Sequence, residues 1–253
     1  PAGKRHTDPT LAAMTYELDQ SVGKVLDALK QSELEKNTYV VILSDNGQTQ
    51  RFSETENLPL RGAKSSLYEG GIRVPMFIRG PKVIANSSVT EPVIGYDLFP
   101  TFCRWAGVNT LPTALEGVDI SALVSAGAKA KFKRSNPLYF HFPHYGGGPE
   151  ASPQSALIDG KWKLLYRYGQ NAPELYDLDT DISESKNLAE SNPAKAQELS
   201  KALMSYLKTT KAQFPTKNPD YDASSAREEQ REQRQKKRQG NQSGQGGGRR
   251  KRR

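Results

Sequence analysis

The run Tyr39-Val-Val-Ile-Leu43, followed at once by Ser44-Asp45-Asn46-Gly47, constrains the fold more than any other stretch. An unbroken apolar run rich in β-branched residues predicts a strand covered on both faces, the pattern of a central parallel strand. Just upstream, Leu11, Met14, Leu18, Val22, Val25, Leu26 and Leu29 recur at steps of three and four, which predicts a helix over 10–30 with one buried face. A helix feeding a buried strand is the α/β alternation. Open α/β sheets bind ligands at the carboxyl ends of their strands, and Asp45 and Asn46 stand there. A carboxylate and an amide carbonyl are hard oxygen donors suited to Ca²⁺ or Mg²⁺, although Asp-Asn-Gly also makes an ordinary Asx turn.

The next segment, Asn57-Leu-Pro-Leu-Arg-Gly-Ala-Lys-Ser-Ser-Leu-Tyr-Glu-Gly-Gly-Ile-Arg-Val-Pro75, sets Gly62, Gly70 and Gly71 around Arg61 and Lys64. Glycines let backbone approach a ligand, and a lysine delivers a mobile charge to an oxyanion; a solvated loop is the plain alternative. Pro75 cannot donate to a ladder, so the following apolar run reads as an edge strand or one starting near Met76. Residues 95–107 read as a short helix with Asp97 as N-cap, Pro100 in the first turn and Gly107 at its end. After a polar connection come four short strands, with Asp159-Gly160 as a hairpin turn, and no helix between them, which predicts an antiparallel sheet. Ala196, Leu199, Leu203 and Leu207 then define one face of a helix over 192–208 that would pack on that sheet. No internal repeat is present.

The length of 253 residues suits one large domain or a domain and a half, and 35% apolar content supports a core. No stretch approaches eighteen consecutive apolar residues, and the N-terminal segment has neither an initiator Met nor an apolar signal core. The net charge of +8 belongs to the tail: residues 227–253 hold 11 basic and 3 acidic residues, leaving 25 of each sign elsewhere. That tail, rich in Gln, Gly and Arg, is expected to be disordered and to attract polyanions or merely to be solvated; it lacks aromatic residues for base stacking, so no specific nucleic acid is expected. With Cys103 alone, no internal disulfide forms.

Taken together, Ser-Asp-Asn-Gly, the glycine loop, Asp97-Leu-Phe-Pro-Thr101, Ser155-Ala-Leu-Ile-Asp-Gly-Lys-Trp-Lys-Leu-Leu-Tyr166 and Glu174-Leu-Tyr-Asp-Leu-Asp-Thr-Asp-Ile-Ser-Glu-Ser-Lys-Asn-Leu-Ala189 resemble the formylglycine-dependent (type I) sulfatases, arylsulfatase-like members of the alkaline phosphatase superfamily. The resemblance runs from about Thr10 to Tyr221. It implies that Asp45 and Asn46 ligate a divalent cation, usually Ca²⁺, and that Lys64 contacts the substrate's sulfate. It also implies a mechanism in which a formylglycine hydrate attacks sulfur while cations neutralise the oxygens, a covalent intermediate with electrostatic stabilisation.

Two elements of the family pattern are absent. No Cys/Ser-x-Pro/Ala-x-Arg motif occurs, since Cys103 begins Cys-Arg-Trp-Ala-Gly and Ser191 begins Ser-Asn-Pro-Ala-Lys, and no Asp-Asp pair occurs. Gln48 also stands where the family commonly has Gly. The chain thus resembles the C-terminal portion of a sulfatase, with the formylglycine expected from a missing upstream half. The expected fold class is α/β: the C-terminal part of an alkaline-phosphatase-like α/β sandwich over 1–130, a smaller α+β subdomain with a four-stranded antiparallel sheet and a helix over 131–222, and the basic tail over 223–253. The segment by itself is expected to be inactive and to fold poorly.

His141 and His144 are candidates for substrate contact, because a histidine at a cleft mouth can bond a sugar or donate to a leaving group; otherwise they are strand-end residues. His6 receives no role. The expected whole enzyme is a sulfuric ester hydrolase acting on sulfated carbohydrates, periplasmic or secreted by family habit, with no membrane span. The competing readings are a nonenzymatic anion-binding module and a phosphodiesterase of the same superfamily. Two-metal phosphodiesterases need additional His and Asp ligands, which Ser-Asp-Asn-Gly with the lysine loop does not provide.

Overall fold

A computed structural model describes residues 8–49, 57–108, 110–132, 134–145, 152–170, 172–216 and 219. The chain divides into two compact units, Pro1–Phe214 and Pro215–Arg253. The division expected near residue 130 falls inside the first unit, and the basic tail lies outside the described residues.

Helix α1 (Pro9–Gln31) begins where Asp8 accepts hydrogen bonds from the Thr10 and Leu11 amides, with Pro9 in the first turn. Strand β1 (Val40–Leu43) leads through the loop to the short helix α2 (Glu69–Ile72) and then β2 (Met76–Arg79). Helix α3 (Leu98–Trp105) and helix α4 (Ser121–Ala126) follow, the latter inside the segment expected to be a polar connection. Strands β3 (Leu138–Phe142), β4 (Gln154–Asp159), β5 (Trp162–Arg167) and β6 (Glu174–Asp177) precede helix α5 (Pro193–Thr209).

The four last strands form one antiparallel sheet in the order β3-β4-β5-β6. Gly160 takes a φ of +56° at the first central position of the β4–β5 turn, the backbone a primed hairpin turn needs. Register places Tyr139, Leu157, Leu164 and Leu175 in one row across the sheet. That row packs on the α5 face of Ala196, Leu199, Leu203 and Leu207, the four residues the sequence spacing selects. The opposite face carries Phe140, Ala156, Leu165 and Tyr176 and packs on Leu67 and Tyr68 of the glycine loop. Being covered on both faces, β4 is buried at every residue from Gln154 to Ile158.

The N-terminal elements depart from the sequence expectations. No residue of α1 is buried, and Leu18 of its apolar stripe is 63% exposed. Strand β1 pairs with β2 in an antiparallel two-stranded sheet, Val40 opposite Arg79 and Leu43 opposite Met76, and not as a central parallel strand. Its apolar run is only half-buried, and Phe77 across from Ile42 is 65% exposed. The patterns ask for neighbours on faces that no described residue covers. Asp97 stands at the N-cap of α3, but its carboxylate caps no α3 amide: it takes the Ile94 and Val118 amides and pairs with Arg134, binding three segments together. Of α3, Pro100 and Thr101 are buried while Phe99 and Phe102 are exposed, so its apolar residues face the interior only in part.

Candidate functional site

The end of β1 and the glycine loop are joined backbone to backbone. The Gly47 amide donates to the Gly71 carbonyl at 2.9 Å, and the Lys64 amide donates to the Gln48 carbonyl at 2.9 Å. Within the loop the Gly70 amide reaches the Arg61 carbonyl at 2.6 Å, and the Asn57 side-chain amide holds the Gly62 carbonyl at 2.9 Å. Glycine is required here by close approach: a Cβ on Gly47 would stand 1.8 Å from the Gly70 carbonyl oxygen, and one on Gly71 would stand 2.0 Å from that of Ser66. The two motifs, about twenty residues apart in sequence, become one surface. Asp45, Asn46 and Lys64 lie on its strands of backbone, with Asp45 and Lys64 exposed.

The donor chemistry fits a hard cation. The Asn46 side-chain amide nitrogen donates to the Asp45 carboxylate, so the two candidate ligands meet on one turn. Ca²⁺ takes six to eight oxygens, and among the described residues no group of three His, Cys, Asp or Glu side chains comes together to supply them. Asp45 and Asn46 by themselves offer fewer oxygens than such an ion takes. The side-chain nitrogen of Gln48, buried and without a hydrogen-bond partner, lies next to this turn in sequence.

The loop is held from behind by the antiparallel sheet. Gln154 of β4 accepts the Leu67 amide at 2.9 Å, and Glu184 accepts the Glu69 amide at 2.6 Å. Lys163 of β5, 0% exposed, places Nζ 2.8 Å from Glu69 Oε1 and 2.8 Å from Glu184 Oε1. Arg61 lies over the Tyr68 ring and donates to the Tyr176 hydroxyl and the Glu184 carbonyl. The Tyr68 and Tyr176 hydroxyls both donate to Glu174 Oε2 at 2.6 Å. Burial, reinforced by those bonds to a carboxylate, pushes both phenols far above the ordinary tyrosine range. Burial likewise raises Glu184, with the Lys163 charge opposing it.

Sequence reasoning missed this cluster. The signal was available in Trp162-Lys-Leu-Leu-Tyr-Arg167: a lysine inside an apolar strand of a sheet covered on both faces needs a buried partner. Glu184 carried no such signal, because it lies in a polar loop.

The two histidines receive different surroundings. His141 Nε2 contacts the Gln213 carbonyl at 2.8 Å and Nδ1 contacts the Ser155 hydroxyl at 2.7 Å, while its ring meets Tyr168 and Phe214 edge-on. Both ring nitrogens are thus engaged within the chain, where they fasten β3 to β4 and to the segment after α5. His144 is exposed, and its ring meets that of Phe142 edge-on. Phe142 packs on the cluster that contains Leu67 and Tyr68, which brings the exit of β3 to the back of the Lys64 loop.

Residues 4–108 match the family described as Sulfatase, and residues 63–213 match the family described as N-sulphoglucosamine sulphohydrolase, C-terminal. A sulfatase of Formosa agariphila is 36% identical over 75% of this chain and 37% of its own length. Arylsulfatase K of Xenopus laevis is 32% identical over 76% of this chain and 35% of its own length. The chain therefore spans little more than a third of these relatives. Among solved structures, Ps i-CgsB in complex with k-i-k-neocarrahexaose superimposes with a TM-score of 0.68 at 30% identity, over 81% of this chain and 43% of that one. A protein bound to its substrate D-glucosamine-2-N,6-O-disulfate gives a TM-score of 0.64 at 25% identity, over 79% of this chain and 40% of that one.

Proposed function

This chain belongs to the sulfatase family, and from that premise we propose that its strand end and glycine loop form one wall of a sulfuric ester hydrolase site acting on sulfated carbohydrates. The observation that supports the reading is the backbone junction of Gly47 with Gly71 and of Lys64 with Gln48, which joins the loop of the exposed Lys64 to the turn of Asp45 and Asn46. Lys64 binds and orients the sulfate group by charge-assisted hydrogen bonding, from a backbone held by the Gln48 carbonyl. Asp45 and Asn46 hold a divalent cation, Ca²⁺ by the chemistry of their oxygens, with further ligands from outside the described residues. When bound, that cation supplies electrostatic stabilisation of charge on the sulfate oxygens.

The nucleophile is not among the residues of this chain, which has no formylglycine motif. His144, exposed at the exit of β3, is the histidine available for substrate contact; His141 has its ring nitrogens engaged. Sulfated carbohydrate as the substrate class is supported by the two similar structures, one with a neocarrahexaose and one with a disulfated glucosamine. A periplasmic or secreted location accompanies the family reading; among the described residues no helix is long and apolar enough to cross a membrane.

The test is hydrolysis of matched sulfate and phosphate esters by the protein that carries this chain, with Lys64→Ala and Asp45→Ala beside it. Sulfate release that both substitutions suppress is the expected result. Phosphate release exceeding sulfate release, or full activity in both variants, overturns the reading.

A further inference from the structure

The buried charges behind the loop take no part in the reaction proposed above, yet they bond to it at Glu69. We propose that Lys163 and Glu184 are positioning residues for Lys64, acting through Glu69 and the backbone of α2; the functional consequence rests on the reading of Lys64 as a sulfate ligand. Glu69 is held twice: its carboxylate pairs with Lys163 at 2.8 Å, and its amide donates to Glu184 Oε2 at 2.6 Å. Lys163 spans the two acids, reaching Glu184 Oε1 at 2.8 Å. Arg61, which opens the loop, donates to the Glu184 carbonyl, and Arg73 at the end of α2 contacts Glu69 Oε2 at 3.4 Å. The Lys64 loop is therefore held at Glu69 by one ammonium and two carboxylates, all buried, and at Arg61 by the main-chain carbonyl of Glu184.

A buried ion pair adds little net stability over well-packed apolar residues of the same volume, because desolvation consumes most of the attraction. What it supplies is direction. Each partner has few arrangements in which all its bonds are made, and an error in the loop leaves a buried charge unpaired. The apolar contacts of Leu67 and Tyr68 with the sheet are non-directional and would tolerate small slips of the loop. Lys163 and Glu184 remove that freedom at Glu69, five residues from Lys64, while the Gly47–Gly71 and Lys64–Gln48 bonds tie the loop to the end of β1.

The experiment follows amide exchange and resonance shifts of the ¹⁵N-labelled protein that carries this chain, with inorganic sulfate as the probe. Glu184→Ala and Lys163→Met should speed exchange at the Lys64, Leu67, Glu69 and Gly71 amides roughly tenfold to a hundredfold. Leu157, Leu164 and Leu203 in the opposite core should exchange at the wild-type rate. Glu184→Gln keeps an acceptor for the Glu69 amide and should restore most of the protection lost in Glu184→Ala. The response of Lys64 to sulfate should move to higher concentration in the two disruptive variants and return in Glu184→Gln. Acceleration of all amides together, or unchanged exchange around Lys64, overturns the proposal. Should Glu184→Ala fail to fold, Lys163→Met and Glu184→Gln decide by the same criteria. A wild-type Lys64 that ignores sulfate while the loop loosens as described defeats the sulfate-ligand reading and leaves the positioning role standing. Equal sulfate responses in every variant defeat the positioning role alone.

Discussion

Leu203 and Leu18 occupy equivalent places in the periodic patterns of two helices, and the structure predicts opposite consequences for truncating them. Leu203 of α5 is 0% exposed and packs among Leu157, Leu164, Leu175, Ala196, Leu199 and Leu207. Leu203→Ala loses the transfer energy of the removed carbons and leaves a cavity beneath a sheet that cannot fully collapse, a cost of about 3–5 kcal/mol. Leu18 of α1 is 63% exposed, so Leu18→Ala should change stability by no more than about 0.5 kcal/mol. With a urea slope of about 2–3 kcal/mol per molar, the Leu203 variant should lower the denaturation midpoint of the sheet unit by about 1–2 M. The Leu18 variant should leave it in place. Urea titrations of the 253-residue chain, followed by near-ultraviolet circular dichroism of the tyrosine-rich sheet, read both. Comparable losses for the two variants would refute the placement of the core between α5 and the sheet and require α1 to be packed.

Gly47→Ala forces a Cβ into the Gly70 carbonyl and should break both backbone bonds of the junction, costing about 2–4 kcal/mol locally, seen as protease cleavage in the loop; Gly23→Ala, with nothing within 4 Å, should be harmless or slightly stabilising. Lys64→Ala should weaken binding of a sulfate ester about tenfold to a hundredfold without shifting the unfolding midpoint, measured by calorimetry on the protein that carries this chain. Asp181 offers a pH test. Burial opposes its ionisation, but the Lys186 and Ser185 amides and the Ser183 and Ser185 hydroxyls outweigh it and bring the carboxyl down to about 2. Its folded value lies below its unfolded one, so the stabilisation is present above the ordinary carboxylate range and is lost as pH falls toward 2. Wild type should therefore exceed Asp181→Asn in stability by about 1–2 kcal/mol near neutrality, and the two should converge near pH 2 in acid-unfolding curves.

The sequence alone determined the local elements that carry their own physics. Four short strands with no helix between them and the Asp159-Gly160 turn implied the four-stranded antiparallel sheet, and the spacing of Ala196, Leu199, Leu203 and Leu207 marked which face of α5 meets it. Asp45, Asn46 and Lys64 stood out as candidates only in combination, because Asp-Asn-Gly is also an ordinary Asx turn and a lysine among glycines is also an ordinary solvated loop. Tertiary structure decided the rest, because burial is a property of what lies opposite. Among the described residues nothing covers Met14, Leu18 and Val25 of the α1 stripe, and β1 pairs antiparallel with β2, since periodicity specifies a face to cover and not the element that covers it. Tertiary structure gave His141 two intramolecular partners brought from residues 155 and 213, a pairing across chain distance that no local pattern records. It also assembled Glu69, Lys163 and Glu184, three charges from three segments, into the cluster behind Lys64, because only in the folded chain do they leave water together and need one another.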